Sequence, residues 1–214
     1  MPLFFLIAIA LVTSSAQATV STNPTQAAEF TPCRIGTPPT SVAAECTDIS
    51  VPFSHDLAPE QSAHTEEPLP EKITLAVARI SARGNAPAED PVTIIAGGPG
   101  QSALDSWPQL QSAFYPLLAN RDVYLIDPRG TGDSMRLDCP APPAELELNP
   151  DLEQISNEAK RCLESQPLPV EWFTTSVAVR DLDAVREALG IEHWNLYGVS
   201  YGCLLYTSPS PRDS

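Results

Sequence analysis

Positive charge is scarce in this chain: 12 Lys and Arg stand against 27 Asp and Glu, a formal net charge of −15. Such a balance repels a phosphate backbone and excludes nucleic acid as a partner. It favours solubility and does not specify a fold. Histidine is scarcer still, with only His55, His64 and His193. The five cysteines show no C-x-x-C spacing and no neighbouring Cys/His cluster, which argues against a metal site. The apolar run Leu3–Val12 falls well short of the roughly 20 residues that span a bilayer as a helix. No Gly-Lys-Ser/Thr follows a glycine-rich loop, so a P-loop is excluded. No internal repeat is visible.

What is present is the composition of an ordinary globular protein, 214 residues long and 43% hydrophobic, enough for one domain of good size. The 23 prolines fall mostly in the first half and in the 139–170 region, which are therefore expected to be rich in loops. The run Leu3–Val12 precedes Ala16-Gln17-Ala18, a small-x-small cleavage pattern. Residues 1–18 are expected to be a signal peptide and Thr19 the mature N-terminus. That implies a secreted or periplasmic protein with no stable membrane insertion after cleavage. Residues 19–50 form a polar, Pro-rich segment, and the folded body is expected to begin at Val51-Pro52-Phe53.

Ile73–Val77 alternates large apolar with small or polar residues, as a half-buried strand does. Pro91–Ala96 and Val123–Ile126 read as buried strands, and Trp194–Tyr197 as another. Helices are expected over Trp107–Leu118, Leu152–Leu163 and a stronger one ending at Leu189, with Thr174 or Thr175 as N-cap and Gly190 as its stop. Strand and helix alternation from residue 91 onward indicates a parallel sheet.

Two glycine-bearing stretches carry chemistry. Gly198-Val199-Ser200-Tyr201-Gly202 follows a strand directly and matches the nucleophile-elbow pattern. A tight turn there lifts the Ser200 hydroxyl clear of the backbone, and glycines two positions either side let strand and helix approach closely. The Tyr201 N–H then points to where an oxyanion forms. Alone, the pentapeptide is equally compatible with a plain strand-ending turn. The second stretch shifts that balance. Gly97-Gly98-Pro99-Gly100-Gln101-Ser102 follows the strand ending at Ala96, where a second oxyanion N–H from Gly97 or Gly98 is expected.

Four segments together resemble the proline iminopeptidase and tripeptidyl aminopeptidase family of secreted α/β-hydrolase serine peptidases. They are Gly97–Gly100, Asp127-Pro128-Arg129-Gly130-Thr131-Gly132-Asp133-Ser134, Arg180-Asp181-Leu182-Asp183 and Gly198–Gly202, in the family's order. One departure is Ala96, where the family often carries His before Gly-Gly-Pro-Gly; it places the chain nearer the tripeptidyl branch. The resemblance implies an α/β-hydrolase fold over residues 51–202, a mostly parallel sheet up to the elbow, and here only its N-terminal half. It implies a peptide substrate, no metal or organic cofactor, Ser200 as nucleophile, and Tyr201 with Gly97 or Gly98 as oxyanion donors. An esterase or lipase of the same fold, or a non-catalytic binding protein, remains an alternative. Asp127 and Asp133 have the look of a calcium loop, but Arg129 sits where a ligand is needed and no Glu closes the set, so a structural turn is expected.

An exported protein meets an oxidising compartment, where close cysteines tend to pair. Four cysteines allow three connectivities. Sequence proximity suggests Cys33–Cys46 and Cys139–Cys162, and the resemblance favours the same two.

After Gly202 the chain reads Cys203-Leu204-Leu205-Tyr206-Thr207-Ser208-Pro209-Ser210-Pro211. The two prolines stop a helix after about two turns. The stretch also resembles a translated sequencing-library adapter, so residues 203–214 are expected to be a non-native tail on a truncated gene, with Cys203 the odd thiol. In this fold the catalytic acid and histidine follow the serine in the chain. His193 lies roughly 20 Å from Ser200 along an extended strand and cannot act as base. His55 and His64 are expected at the surface.

Overall fold

A computed structural model describes residues 28–55, 69–141, 150–166 and 168–207. The expected signal peptide, His64 and residues 208–214 lie outside the described residues. Six strands form one sheet: β1 (Thr31–Ile35), β2 (Val42–Pro52), β3 (Lys72–Ile80), β4 (Val92–Ile95), β5 (Val123–Ile126) and β6 (Asn195–Gly198), in the order β1-β2-β3-β5-β4-β6. As the sequence predicts, pairing is parallel from residue 92 onward: β4 lies between β5 and β6 and runs parallel to both. The first three strands add an antiparallel half, in which β3 joins β5 through Val77 opposite Ile126.

The folded body therefore starts about twenty residues earlier than Val51. Thr31–Ile35 and Val42–Pro52 are strands despite their prolines and small polar side chains. Position explains the prolines: Pro32 lies on the edge strand β1, and Pro52 is the last residue of β2. The Cys33–Cys46 disulfide staples β1 diagonally to β2, since Cys33 faces Ala44 and Cys46 faces Thr31.

The described residues hold four α-helices: α1 (Ala103–Phe114), α2 (Leu152–Glu164), α3 (Thr175–Ala188) and the short α4 (Gly202–Thr207), of which α1, α3 and α4 pack on the sheet. α1 begins four residues before the expected Trp107 because Ser102 caps it, its hydroxyl accepting the Asp105 N–H at 2.9 Å. It ends before Pro116, whose ring cannot continue the ladder; a 3-10 turn at Leu117–Ala119 follows. Thr174 caps α3. Gly190 at φ +68° ends it in a Schellman motif, with Gly190 N–H on the Glu187 carbonyl and Ile191 N–H on that of Arg186. α2 carries a capping box at Asp151 and Gln154, buries no residue, and is tied down by the Cys139–Cys162 disulfide.

The strand period of two sorts the core into two layers. On one face Leu75, Val77, Ile95 and Ile126 pack with Val177, Leu182 and Val185 of α3, Trp172 and Leu205 of α4. On the other Ala76, Ala78, Ile94 and Leu125 pack under Leu104, Trp107 and Phe114. The alternation in β3 is thus large against small with both faces covered, rather than buried against solvated. Each fully buried Leu or Val in these layers contributes roughly 1.5–3 kcal/mol of transfer free energy.

Candidate active site

The parallel strands aim their C-terminal ends at one edge of the sheet, and the two glycine-bearing loops meet there. β6 ends at Gly198 and α4 starts at Gly202, leaving three residues to reverse the chain. Ser200 takes the left-handed conformation, φ +52°, which an L-residue with a side chain rarely adopts. The turn is held by Gly202 N–H on the Val199 carbonyl at 2.8 Å and Cys203 N–H on that of Ser200 at 3.0 Å. Val199 N–H continues the ladder to the Ile95 carbonyl at 3.1 Å. Only glycine fits at either shoulder. A Cβ on Gly198 would lie 2.7 Å from the Gly202 carbonyl, and one on Gly202 would lie 2.4 Å from the Ile95 oxygen. Ser200 is exposed, and its hydroxyl has no hydrogen-bond partner among the described residues.

Gly97 backs directly onto this turn. A Cβ there would come within 3.0 Å of the Val199 oxygen and 3.2 Å of the Ser200 Cβ. Gly97 is buried, whereas Gly98 and Gly100 are exposed with φ near +100°. The structure therefore brings Gly97, Gly98, Ser200 and Tyr201 to one place. The Tyr201 hydroxyl shares a 2.8 Å hydrogen bond with Thr175 Oγ1, in the first turn of α3.

The Asp127–Ser134 segment is the expected structural turn, and it supports the glycine-rich loop. Asp127 is buried and accepts from Ser102 Oγ at 2.8 Å, from Leu104 N–H at 3.2 Å and from Asp133 N–H at 3.1 Å. Burial nevertheless pushes its carboxyl above the ordinary range, outweighing those donors. Ser134 Oγ accepts the Ala76 N–H at 2.8 Å, fastening the turn to β3.

Arg129 spends every donor it has. Nε and Nη2 meet Asp181 side-on at 2.6 and 2.7 Å, Nη1 reaches the carbonyls of Phe53 and Trp172, and Nη2 that of Pro52. His55 joins this pair, its Nε2 lying 2.7 Å from Asp181 Oδ1. His55 is thus not a surface residue: its side chain is 9% exposed and held at φ +48° against a buried carboxylate. Its partner lies 126 residues away, so no local pattern marks it. Ser102 did carry a signal, the Ser-x-x-Asp spacing to Asp105 that precedes an apolar helix. His193 is exposed beside Glu192, just before β6.

Two depressions flank the elbow. One, of about 270 Å³, runs from Gly97 to Tyr201 between the Pro128–Thr131 turn, Leu137 and Phe173. The other, of about 560 Å³, reaches Val199 from the α1 side and includes Asp105 and Gln109. Ala96 lines both.

A family model described as alpha/beta hydrolase fold matches residues 90–208, more than half of the chain. The chain belongs to the α/β-hydrolase fold family. Within this α/β-hydrolase frame it is similar to the tripeptidyl aminopeptidase of Streptomyces coelicolor, 29% identical over 75% of this chain and 31% of that protein. It is also similar to the serine protease Hip1 of Mycobacterium tuberculosis, 28% identical over 83% of this chain and 35% of that protein. A crystal structure of proline iminopeptidase from Mycobacterium smegmatis matches 62% of this chain and 34% of its own, at 23% identity and a TM-score of 0.40. The chain spans about a third of the length of the curated relatives it matches.

Proposed function

We propose that this chain is the N-terminal part of an exported serine peptidase of the aminopeptidase type, releasing short peptides or single residues from the N-terminus of its substrates. The observation that carries this reading is Ser200, held left-handed between two indispensable glycines at the end of β6 and backed by Gly97. The names of the similar proteins support the peptidase class. The two disulfides support an oxidising destination, secreted or periplasmic.

In this reading Ser200 Oγ attacks the scissile carbonyl. The Tyr201 N–H, with that of Gly97 or Gly98, takes the developing negative charge on oxygen. A serine hydroxyl needs a base to accept its proton. His55 is committed to Asp181, and His193 sits exposed ahead of the strand. The base and its orienting acid are therefore assigned to sequence that follows Gly202 in the complete protein, in the Ser–Asp–His order of the family. The chain by itself is then inactive as a peptidase.

The test uses the complete protein, extended to the length of its relatives. It should hydrolyse aminoacyl- or peptidyl-arylamides with a free N-terminus, and residues 19–214 alone should not. Turnover confined to short-chain esters would replace the peptidase reading with an esterase; no turnover of either would leave a binding protein.

A further inference from the structure

We propose that the 270 Å³ depression receives an uncharged apolar side chain, that of the substrate residue whose carbonyl is presented to Ser200, with Leu137 and Phe173 as the walls that set specificity. The proposal rests on the function proposed above.

Position comes first. Gly97 and Tyr201, the sources of the assigned oxyanion donors, are part of the lining. A carbonyl held between them places its own residue's side chain at the mouth of this depression. Size comes next. Pockets for whole small ligands measure about 300–1,000 Å³. A volume of about 270 Å³ suits one side chain rather than an entire peptide.

Charge decides the chemistry. An arginine in the wall beside an oxyanion site would ordinarily suggest a carboxylate receptor. Arg129 cannot serve as one, because its five N–H groups already meet Asp181 and three backbone carbonyls, and its side chain is 1% exposed. Asp181 offers a cation nothing either: Oδ2 is taken by Arg129, Oδ1 by Arg129 and His55, and the side chain is 2% exposed. A charged side chain entering here would lose its water without gaining a partner. The rest of the wall carries no charge: Gln101, Thr131 and Thr174 are polar, and the larger share is apolar. Pro99 and Pro128 stiffen the rim, and Phe173 and Leu137 close on Gly130, where a Cβ would lie 2.9 Å from the Phe173 ring and 3.3 Å from Leu137.

The experiment measures kcat/KM of the complete protein on two matched series, arylamides and p-nitrophenyl esters, each as the aminoacyl and the tripeptidyl compound with a free N-terminus, with Ala, Leu, Phe, Glu or Lys as the residue at the scissile carbonyl. Ala and Leu should exceed Glu and Lys by at least about tenfold in both series. Leu137→Glu, on a half-buried loop, should raise the Lys-to-Leu ratio by about tenfold. Phe173→Ala should raise the Phe-to-Ala ratio. Ratios within one variant are insensitive to how much of it folds. A wild-type preference for Lys or Glu, or ratios unmoved by both variants, would overturn the pocket. Ester turnover with the expected order but no arylamide turnover would keep the pocket and overturn the peptidase reading; no turnover in either series would overturn both.

Discussion

Tyr201 and Thr175 share a 2.8 Å hydrogen bond that ties the residue after the nucleophile to the first turn of α3. The ring of Tyr201 is thereby fixed from both ends, by the elbow backbone and by a helix whose Thr174 N-cap and Schellman stop define its position. The N–H assigned to the oxyanion belongs to this same residue. Tyr201→Phe should therefore lower kcat of the complete protein by roughly 3–10-fold, the equivalent of one neutral hydrogen bond, and leave KM nearly unchanged. Thr175→Val should do the same, and the double variant should be no worse than either single one. Additive losses would show that the two hydroxyls act independently.

Arg129 and Asp181 are buried, and every Arg129 donor is hydrogen-bonded, which makes the cluster with His55 costly to break. Removing one partner of a buried ion pair leaves the other charge uncompensated, at about 3–5 kcal/mol. Asp181→Asn and Arg129→Met should each lower the denaturant midpoint of the complete protein to that extent. Arg129→Lys should not rescue, since one ammonium cannot reach Asp181 and the carbonyls of Pro52, Phe53 and Trp172 together. Equal stability of the Lys variant would contradict the five-bond account.

Asp127 gives a pH dependence whose sign follows from its burial. Its carboxyl sits above the ordinary range, so the folded state holds the proton more tightly than the unfolded chain does. Its contribution to stability is full below the unfolded value of about 3.9 and is lost as pH rises through the folded value. The stability of wild type relative to Asp127→Asn should accordingly decline across that acidic window. At neutral pH the Asn variant should still be weaker by about 1–3 kcal/mol, because one acceptor oxygen becomes a donor facing Ser102 Oγ or the Leu104 and Asp133 N–H groups. A relative stability that rises with pH would mean that those donors outweigh burial.

The contrast between these clusters shows what the sequence makes legible. The elbow is readable because its requirement is local: strand, Gly198, Ser200, Gly202 within five residues. The glycine-rich loop and the parallel strands β4, β5 and β6 are readable for the same reason, since apolar runs end in turn residues. β1 is not, because edge position and a disulfide substitute for a hydrophobic pattern in Thr31–Ile35, and β2 shows buried alternation only near its end, at Ile49 and Val51. His55, Arg129 and Asp181 come from three distant segments and meet only through the fold. α1 was readable in kind but not in extent, because Ser102 takes its cap position while also serving Asp127.

Export and oxidation can be checked together. Material recovered outside the cytoplasm should begin at Thr19. Non-reducing peptide mapping should recover Cys33 linked to Cys46 and Cys139 linked to Cys162, and a maleimide should label Cys203 in this chain. A mature protein that retains Met1, or free thiols at the first four positions, would contradict the proposed destination.

Covalent labelling of the complete protein with a fluorophosphonate, followed by peptide mass spectrometry, tests the nucleophile most directly. The account predicts one modified serine, Ser200, and no labelling in Ser200→Ala, whose kcat should fall on the order of 10⁶-fold while secretion persists. Labelling of a different serine, or full turnover by Ser200→Ala, would contradict it.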